Sequence, residues 1–473
     1  MVQVLATEAV ERKRATALDV LIAKWLDRGI FFGLLLLILI TAVPYGTVEP
    51  WWKAIFVCLT YVLAIAWVIE GRLTGTWRTG GGTILLPLIL LVGFALVQTI
   101  WPRDKSPTGI SSSAWTAISA DPYQTRFFAL QLSALIVAGA LFYRYALSRT
   151  RVVSLINVII CVAVASAVFG IIRQAIQSDL GFGLPLLKPA QGYGQFVNKN
   201  HFAFLMEMAF GLALGMLVAG RITREWVLFY AASLVPIWTA LVLSNSRGGI
   251  LAMLAQLAIA TLLLGKASSR SRRARSRLIK VTSSWPARTA LLIVLLSGVS
   301  IGTVWVGGDR LASQIEAVSN EFDPAAATRY GSSRTEIWKA TWRLFLEHPM
   351  AGVGLGGYWV AISAYHDSAG RQIPQEAHSD YLELLVSGGL IGFALGVWAS
   401  IAVLFRASKN LNSPDQFRRT ITYAAILGIT GVAIHSLVDF GLHMIVNALI
   451  FTALISMATA ESDLADNKQT ESL

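Results

Sequence analysis

Gly29-Ile30-Phe31-Phe32-Gly33-Leu34-Leu35-Leu36-Leu37-Ile38-Leu39-Ile40-Thr41-Ala42-Val43-Pro44-Tyr45-Gly46 runs for eighteen residues without a charge. A helix needs about 20 apolar residues to cross a hydrocarbon core about 30 Å thick, so this run reads as a helix dissolved in lipid. Eleven further runs follow at 51–69, 83–101, 127–147, 152–172, 201–219, 226–243, 248–264, 289–306, 381–405, 419–437 and 443–460. Together they predict an all-α polytopic membrane protein with about twelve transmembrane helices. The short gaps at Ser244–Gly248 and Val438–Leu442 predict two helical hairpins. Only 14% of the 473 residues are charged and mean hydropathy is +0.61. Soluble domains carry about 25% charged residues, so the deficit agrees with lipid as the solvent.

The net charge of +12 would suggest nucleic acid in a soluble chain. Here the basic residues sit in short connections between apolar runs. Placing the N-terminus in the cytoplasm puts Arg72 and Arg78, Arg144 to Arg151, Arg221 and Arg224, and Arg406 to Arg419 on the cytoplasmic side. The run from Lys266 to Lys280 falls there too. That is the positive-inside pattern, and it needs no nucleic acid. The expected order is a basic cytoplasmic N-terminus (1–28), nine spans (29–306), a large outer loop with an amphipathic helix (307–380), three spans (381–460) and a cytoplasmic, disordered tail (461–473). Val43-Pro44-Tyr45 stands where a signal peptide would carry small residues, so the first helix is expected to be retained. Cys58 and Cys161 both lie in apolar runs, which argues against a disulfide framework or a zinc site.

With this topology, the residues able to do chemistry fall on the outer face. Arg247 lies between two apolar runs, in Ser244-Asn245-Ser246-Arg247-Gly248-Gly249. It stands at a helix start, where free N–H groups already favour an anion. An interfacial arginine snorkelling to headgroups is the structural alternative. His378 precedes the run at 381, in His378-Ser379-Asp380-Tyr381, and an imidazole there can take a proton from a hydroxyl. Asn198-Lys199-Asn200-His201 and the turn His435 to His443, containing Asp439, also map outside; each alone reads equally well as capping or turn chemistry. Ser333-Arg334-Thr335-Glu336 is a capping-box pattern. It opens a stretch with Arg334, Trp338, Trp342 and Phe345 at helical spacing, expected to lie along the membrane surface. Gly388, Gly389 and Gly392 are expected to let helices approach closely. Gly352-Val353-Gly354-Leu355-Gly356-Gly357 satisfies GxGxxG, but no strand precedes it, so a dinucleotide site is rejected.

In order and spacing, these segments resemble the O-antigen ligase and polymerase superfamily of bacterial envelope glycan enzymes. The matching pieces are Phe196–Ala203, Ser246-Arg247-Gly248, Arg334–Trp338, His348–Gly354, His378-Ser379 followed by Gly389-Leu390-Ile391-Gly392, and His435–Phe440. The resemblance covers roughly 190–445; the first five spans add only a compatible hydropathy. It implies a GT-C-like membrane glycosyltransferase at the bacterial inner membrane, with a periplasmic site. Such an enzyme moves a glycan from undecaprenyl diphosphate to an acceptor hydroxyl, with no nucleotide sugar, cofactor or metal. By resemblance, Arg247 and Arg334 hold the diphosphate and His378 binds or deprotonates the acceptor. Asn198, Asn200, His201, Trp338, His435 and Asp439 are the expected substrate-binding residues. The acceptor is lipid A-core sugar for a ligase and another lipid-linked repeat for a polymerase. A single large outer loop favours the ligase. No paired carboxylates of glycosidase type stand out among the motifs. A transporter or lipid flippase is the reading from another class, though its polar residues would sit near the midplane.

Overall fold

The computed structural model describes residues 16–43, 45–77, 80–102, 116–176, 192–219, 224–269, 334–366 and 374–460. Thirteen α-helices occur among them, and no strand. In chain order they are α1 (Ala17–Ala42), α2 (Pro50–Thr74), α3 (Gly82–Ile100), α4 (Pro122–Tyr145), α5 (Arg149–Ile176), α6 (Lys199–Ala219) and α7 (Arg224–Ser244). Then come α8 (Arg247–Ser269), α9 (Arg334–Glu347), α10 (Tyr358–Ala361), α11 (Asp380–Leu411), α12 (Gln416–His435) and α13 (Ile445–Thr459). Eight are long and apolar enough to cross a membrane. Eleven of the twelve expected spans are helices; the run at 289–306 lies outside the described residues, as do the basic run at 270–280 and Ser333. The chain is an all-α polytopic membrane protein.

One boundary moves. Helix α1 starts at Ala17 because Thr16 and Asp19 form a reciprocal capping box, the Thr16 hydroxyl accepting from the Asp19 N–H and the Asp19 carboxylate from the Thr16 N–H. Lys24 and Arg28 therefore ride on the first helix instead of preceding it.

Helix α6 forms the centre of the bundle and is buried over most of its length. Gly211 and Gly215, one turn apart, let α12 approach through Ala424 and Gly428. A Cβ on Gly211 would come within 2.4 Å of the Gly428 nitrogen, and one on Gly215 within 2.3 Å of the Ala424 Cα. Lipid supplies little hydrophobic drive between helices, so small residues and polar ties do the work. The buried Gln256 of α8 supplies such a tie, donating to the carbonyls of Glu207 on α6 and Leu427 on α12.

Of the glycines of α11, Gly392 packs against Leu91 and Phe94 of α3, as expected, whereas Gly389 does something else. The helix breaks at Gly389, whose φ of 61° and ψ of −165° a side chain would strain. Into the break fits the Pro349–Leu355 loop: Leu390 donates to Pro349, Ile391 to Met350, Val353 to Val386 and Gly354 to Ser387. Buried Gln98 of α3 seals the joint, donating to the carbonyls of Ala351 and Ser387 and accepting from the Leu355 N–H. Irregular backbone at such depth persists only when every group finds a partner inside the protein. The GxGxxG segment is thus a plug for a broken helix, with positive φ at Gly352, Gly354 and Gly356.

Helix α9 also differs from expectation. It packs Ala340, Leu344 and Phe345 into a small core with Val353, Tyr358 and Val386. Trp342 points out, half exposed, while Trp338 and Phe345 turn inward. The helix is a roof over the end of α11 rather than a stripe of four residues facing one way.

Candidate active site

The N-termini of α6, α8, α11 and α13 and the C-terminus of α12 meet at one end of the bundle. Their junction is the turn from His435 to Met444. The Asp380 N–H is shared between the carbonyls of Ser436 and Asp439, and the Ser436 hydroxyl donates to the Asp380 carboxylate at 2.6 Å. All nine residues singled out from the sequence gather at this end, but in three different surroundings.

Asp439 is wholly buried and gathers three of them. Asn200 donates its amide to Oδ2 of Asp439, Arg334 donates to the same oxygen at 3.2 Å, and His201 Nε2 lies 3.9 Å from Oδ1. The Phe440 N–H occupies Oδ1 as well. Asp439 thus has no free edge for substrate; its charge holds Arg334, whose side chain remains 35% exposed. Asn198 caps α6, its side-chain oxygen accepting from the Asn200 N–H at 2.8 Å.

His435 departs from the expectation of a substrate contact. It is 1% exposed, shares a 2.6 Å hydrogen bond between Nδ1 and Glu207, and stacks on Phe204 at 4.3 Å. The ring abuts Gly248, where a Cβ would come within 2.4 Å of it. The pair therefore seats the start of α8 beside the turn. Ser246 caps that start, its hydroxyl accepting from the Gly249 N–H, and Arg247 stands exposed on the first turn. Glu207 was missed in the sequence, although a lone carboxylate inside the 201–219 run is a signal in itself.

His378 has a φ of +52°, a left-handed conformation uncommon outside glycine. Both backbone groups of the preceding Ala377 are held: the Trp338 indole donates to its carbonyl at 3.0 Å, and its N–H donates to Glu383 at 3.0 Å. The imidazole packs edge-on against Phe440 at 5.0 Å, as does His201 at 4.8 Å, with His443 tilted at 5.6 Å. Burial, with a smaller push from Arg334, holds the His378 pKa below the ordinary imidazole value against the pull of Asp439. Its neutral form, able to accept a proton, therefore prevails near neutrality.

A cavity of 1710 Å³ opens from this end. Its polar part is lined by Asn198, His201, Glu376, His378, Glu383 and His443. Its apolar part follows α11 from Leu384 to Leu404 and α13 from Ile445 to Ser456. At 1.5 Å per residue the stretch of α11 spans about 30 Å, one hydrocarbon thickness. Glu376, Glu383 and His443 escaped the sequence reading as a group. Their ligating atoms all lie within 4.8 Å of one another, a donor set of metal-binding type. Lys53 of α2 also faces Glu376. The structure does bring two carboxyls together, but too close to flank a glycosidic bond, for which about 5 Å or more is needed.

The O-antigen ligase family model matches residues 231–397, just over a third of the chain. The matched part runs from α7 to the middle of α11 and contains Arg247, Arg334, Trp338 and His378. Over that part the chain is similar to the O-antigen ligase family. No curated protein matches the chain in sequence.

Proposed function

We propose that the protein transfers a glycan from undecaprenyl diphosphate to an acceptor hydroxyl at the periplasmic face of the inner membrane, as an O-antigen ligase does. The observation that carries this reading is the shape of the cavity. A polar chamber of histidines, carboxyls and an asparagine continues into an apolar groove one bilayer leaflet pair long. A polyprenyl tail suits the groove and a sugar suits the chamber, with the diphosphate left to the arginines at the same end of the bundle. Breaking the anomeric C–O bond builds negative charge on the lipid diphosphate. Arginine meets that charge with a planar, permanently ionised fork, here at Arg247 and at Arg334 steadied by Asp439. Fixed positive charge at the leaving group is a term able to dominate catalysis. His378, neutral and facing the chamber, binds the acceptor hydroxyl or takes its proton. In the charge pattern that sets orientation, the polar chamber lies outside and the Arg144–Arg151 end inside. A transporter would place such groups near the midplane, and here they crowd one end.

Reconstitution tests the proposal. Purified protein in vesicles, given undecaprenyl-diphosphate-linked glycan and an acceptor lipid-glycan, should release undecaprenyl diphosphate; no release with any acceptor overturns it. Surface glycans of cells lacking the gene separate the two transferases. Full-length chains left on the lipid carrier mean a ligase, and single unjoined repeats mean a polymerase.

A further inference from the structure

The roles above leave a second polar group in the chamber without a task. Glu383 lies on the first turns of α11, and Ser387 follows it four residues on, on the same helix face. Ser387 is 3% exposed, lines the cavity, and its hydroxyl has no hydrogen-bond partner. A hydroxyl buried without a partner costs about 1–3 kcal/mol, so it is placed for a polar guest. Glu376 reaches the same chamber from the loop before α11, and Nδ1 of His443 beside it is also without a partner. These groups are carboxyls and a hydroxyl, which suit a sugar hydroxyl and repel a diphosphate. The arginines that suit a diphosphate stand elsewhere, one anchored on Asp439 and the other at the start of α8.

Resting on the transferase reading, we propose that Glu376, Glu383 and Ser387 form the acceptor-sugar site, with the Glu376 carboxylate as the group that takes the hydroxyl proton. Two buried carboxyls whose oxygens lie within 4.8 Å of each other resist carrying two charges, so one is a donor and one a carboxylate acceptor. Glu383 is already engaged, accepting from the Ala377 N–H at 3.0 Å with His443 Nε2 3.5 Å away. The carboxylate left to meet a guest in the cavity is Glu376. His201 of α6 also faces it, and Asp380 faces Glu383. His378 is the poorer final home for the proton, because charging it puts a buried imidazolium near Arg334. In the step, the acceptor O–H gives its proton to a Glu376 carboxylate oxygen while the acceptor oxygen bonds to the anomeric carbon. The bond from that carbon to the phosphate oxygen breaks, and its electron pair leaves on the lipid diphosphate. His378 then orients the acceptor rather than ending with its proton.

The test uses the full chain in vesicles of phosphatidylethanolamine and phosphatidylglycerol, with lipid-linked glycan and surface lipid-glycan extracted from cells lacking the gene. Undecaprenyl diphosphate release is followed as acceptor and pH vary. Glu376→Gln should lower kcat by about 10²–10⁴-fold, the usual range for a lost general base. Glu376→Asp should restore part of it with a displaced acid limb. Ser387→Ala should raise the acceptor KM several-fold with kcat little changed. Silence from the unaltered protein would sink the transferase reading itself. An active parent with Glu376→Gln within threefold of it, at an unmoved pH profile, would overturn this assignment alone. Should Glu376→Gln fail to insert, Ser387→Ala decides, an unchanged acceptor KM counting against the site.

Discussion

Two polar layers share one end of this bundle and differ in what their hydrogen bonds reach. In the sealed layer, Glu207 with His435 and Asn200 with Asp439 spend their polar atoms largely on each other, behind Phe204 and Phe440. In the open layer, His378, His443 and Ser387 line the cavity, each with a polar atom that makes no hydrogen bond. Arg334 bridges the layers, rooted on Asp439 and partly exposed. Satisfied buried groups set a shape, and unsatisfied ones facing a cavity await a ligand. Damage to the sealed layer should therefore appear as lost stability, and damage to the open layer as lost transfer by a folded protein.

Glu207→Ala should break the comparison hardest. It leaves His435 buried without its carboxylate, a loss of about 3–5 kcal/mol when one partner of a buried pair is removed. Thermal unfolding in detergent reads it, and an unshifted midpoint would mean that the pair does not seat α8. Next come Arg247→Ala and Arg334→Ala. Each should cut the transfer rate by roughly 10²–10³-fold, the scale of one lost charge stabiliser, in protein that still inserts. Arg247→Lys should be impaired as well, since a point charge does not reproduce the fork; full activity there would sink the diphosphate clamp.

His378→Ala should cost about 10²-fold in kcat, the scale of a misplaced reacting group, because the acceptor loses the imidazole that orients it. The pKa of this imidazole is held below its ordinary value, so it stays neutral as the pH falls from 7 through 6.5. The rate of the unaltered protein should hold level over that interval and drop only in more acid buffer. An acid limb centred above pH 6.5 would contradict the assignment. The smallest effect belongs to the opposite end of the bundle. Arg149 and Asp415 pair at 3.2 Å with the arginine 62% exposed. Arg149→Ala should cost no more than about 1 kcal/mol and leave transfer unchanged. A large loss of transfer from that end would blur the division drawn here.

Much of the site was legible because helix ends are legible. Apolar runs give the spans, and the residues just outside them must then share one of two faces. Asn198, His201, Arg247, Arg334, His378 and Asp439 were found together for that reason. What stayed hidden were partners far apart in sequence. Nothing in the 201–219 run couples Glu207 to His435, yet they touch at 2.6 Å. Glu376 and Glu383 read as ordinary polar flanks of a span until His443 and Lys53 are folded against them. Gln98 and the Gly352–Gly357 loop gave no sign that they close a break in α11.

The sequence by itself determined the solvent of this protein, its run of helices and the end at which its candidate site residues gather, because hydrophobicity and charge act locally and need no fold. Only the tertiary structure decided which polar side chains are used up in holding that end together and which are left facing the cavity. That distinction depends on whether each buried donor or acceptor finds a partner, and partners here come from segments more than two hundred residues apart, as Asn200 and Asp439 do.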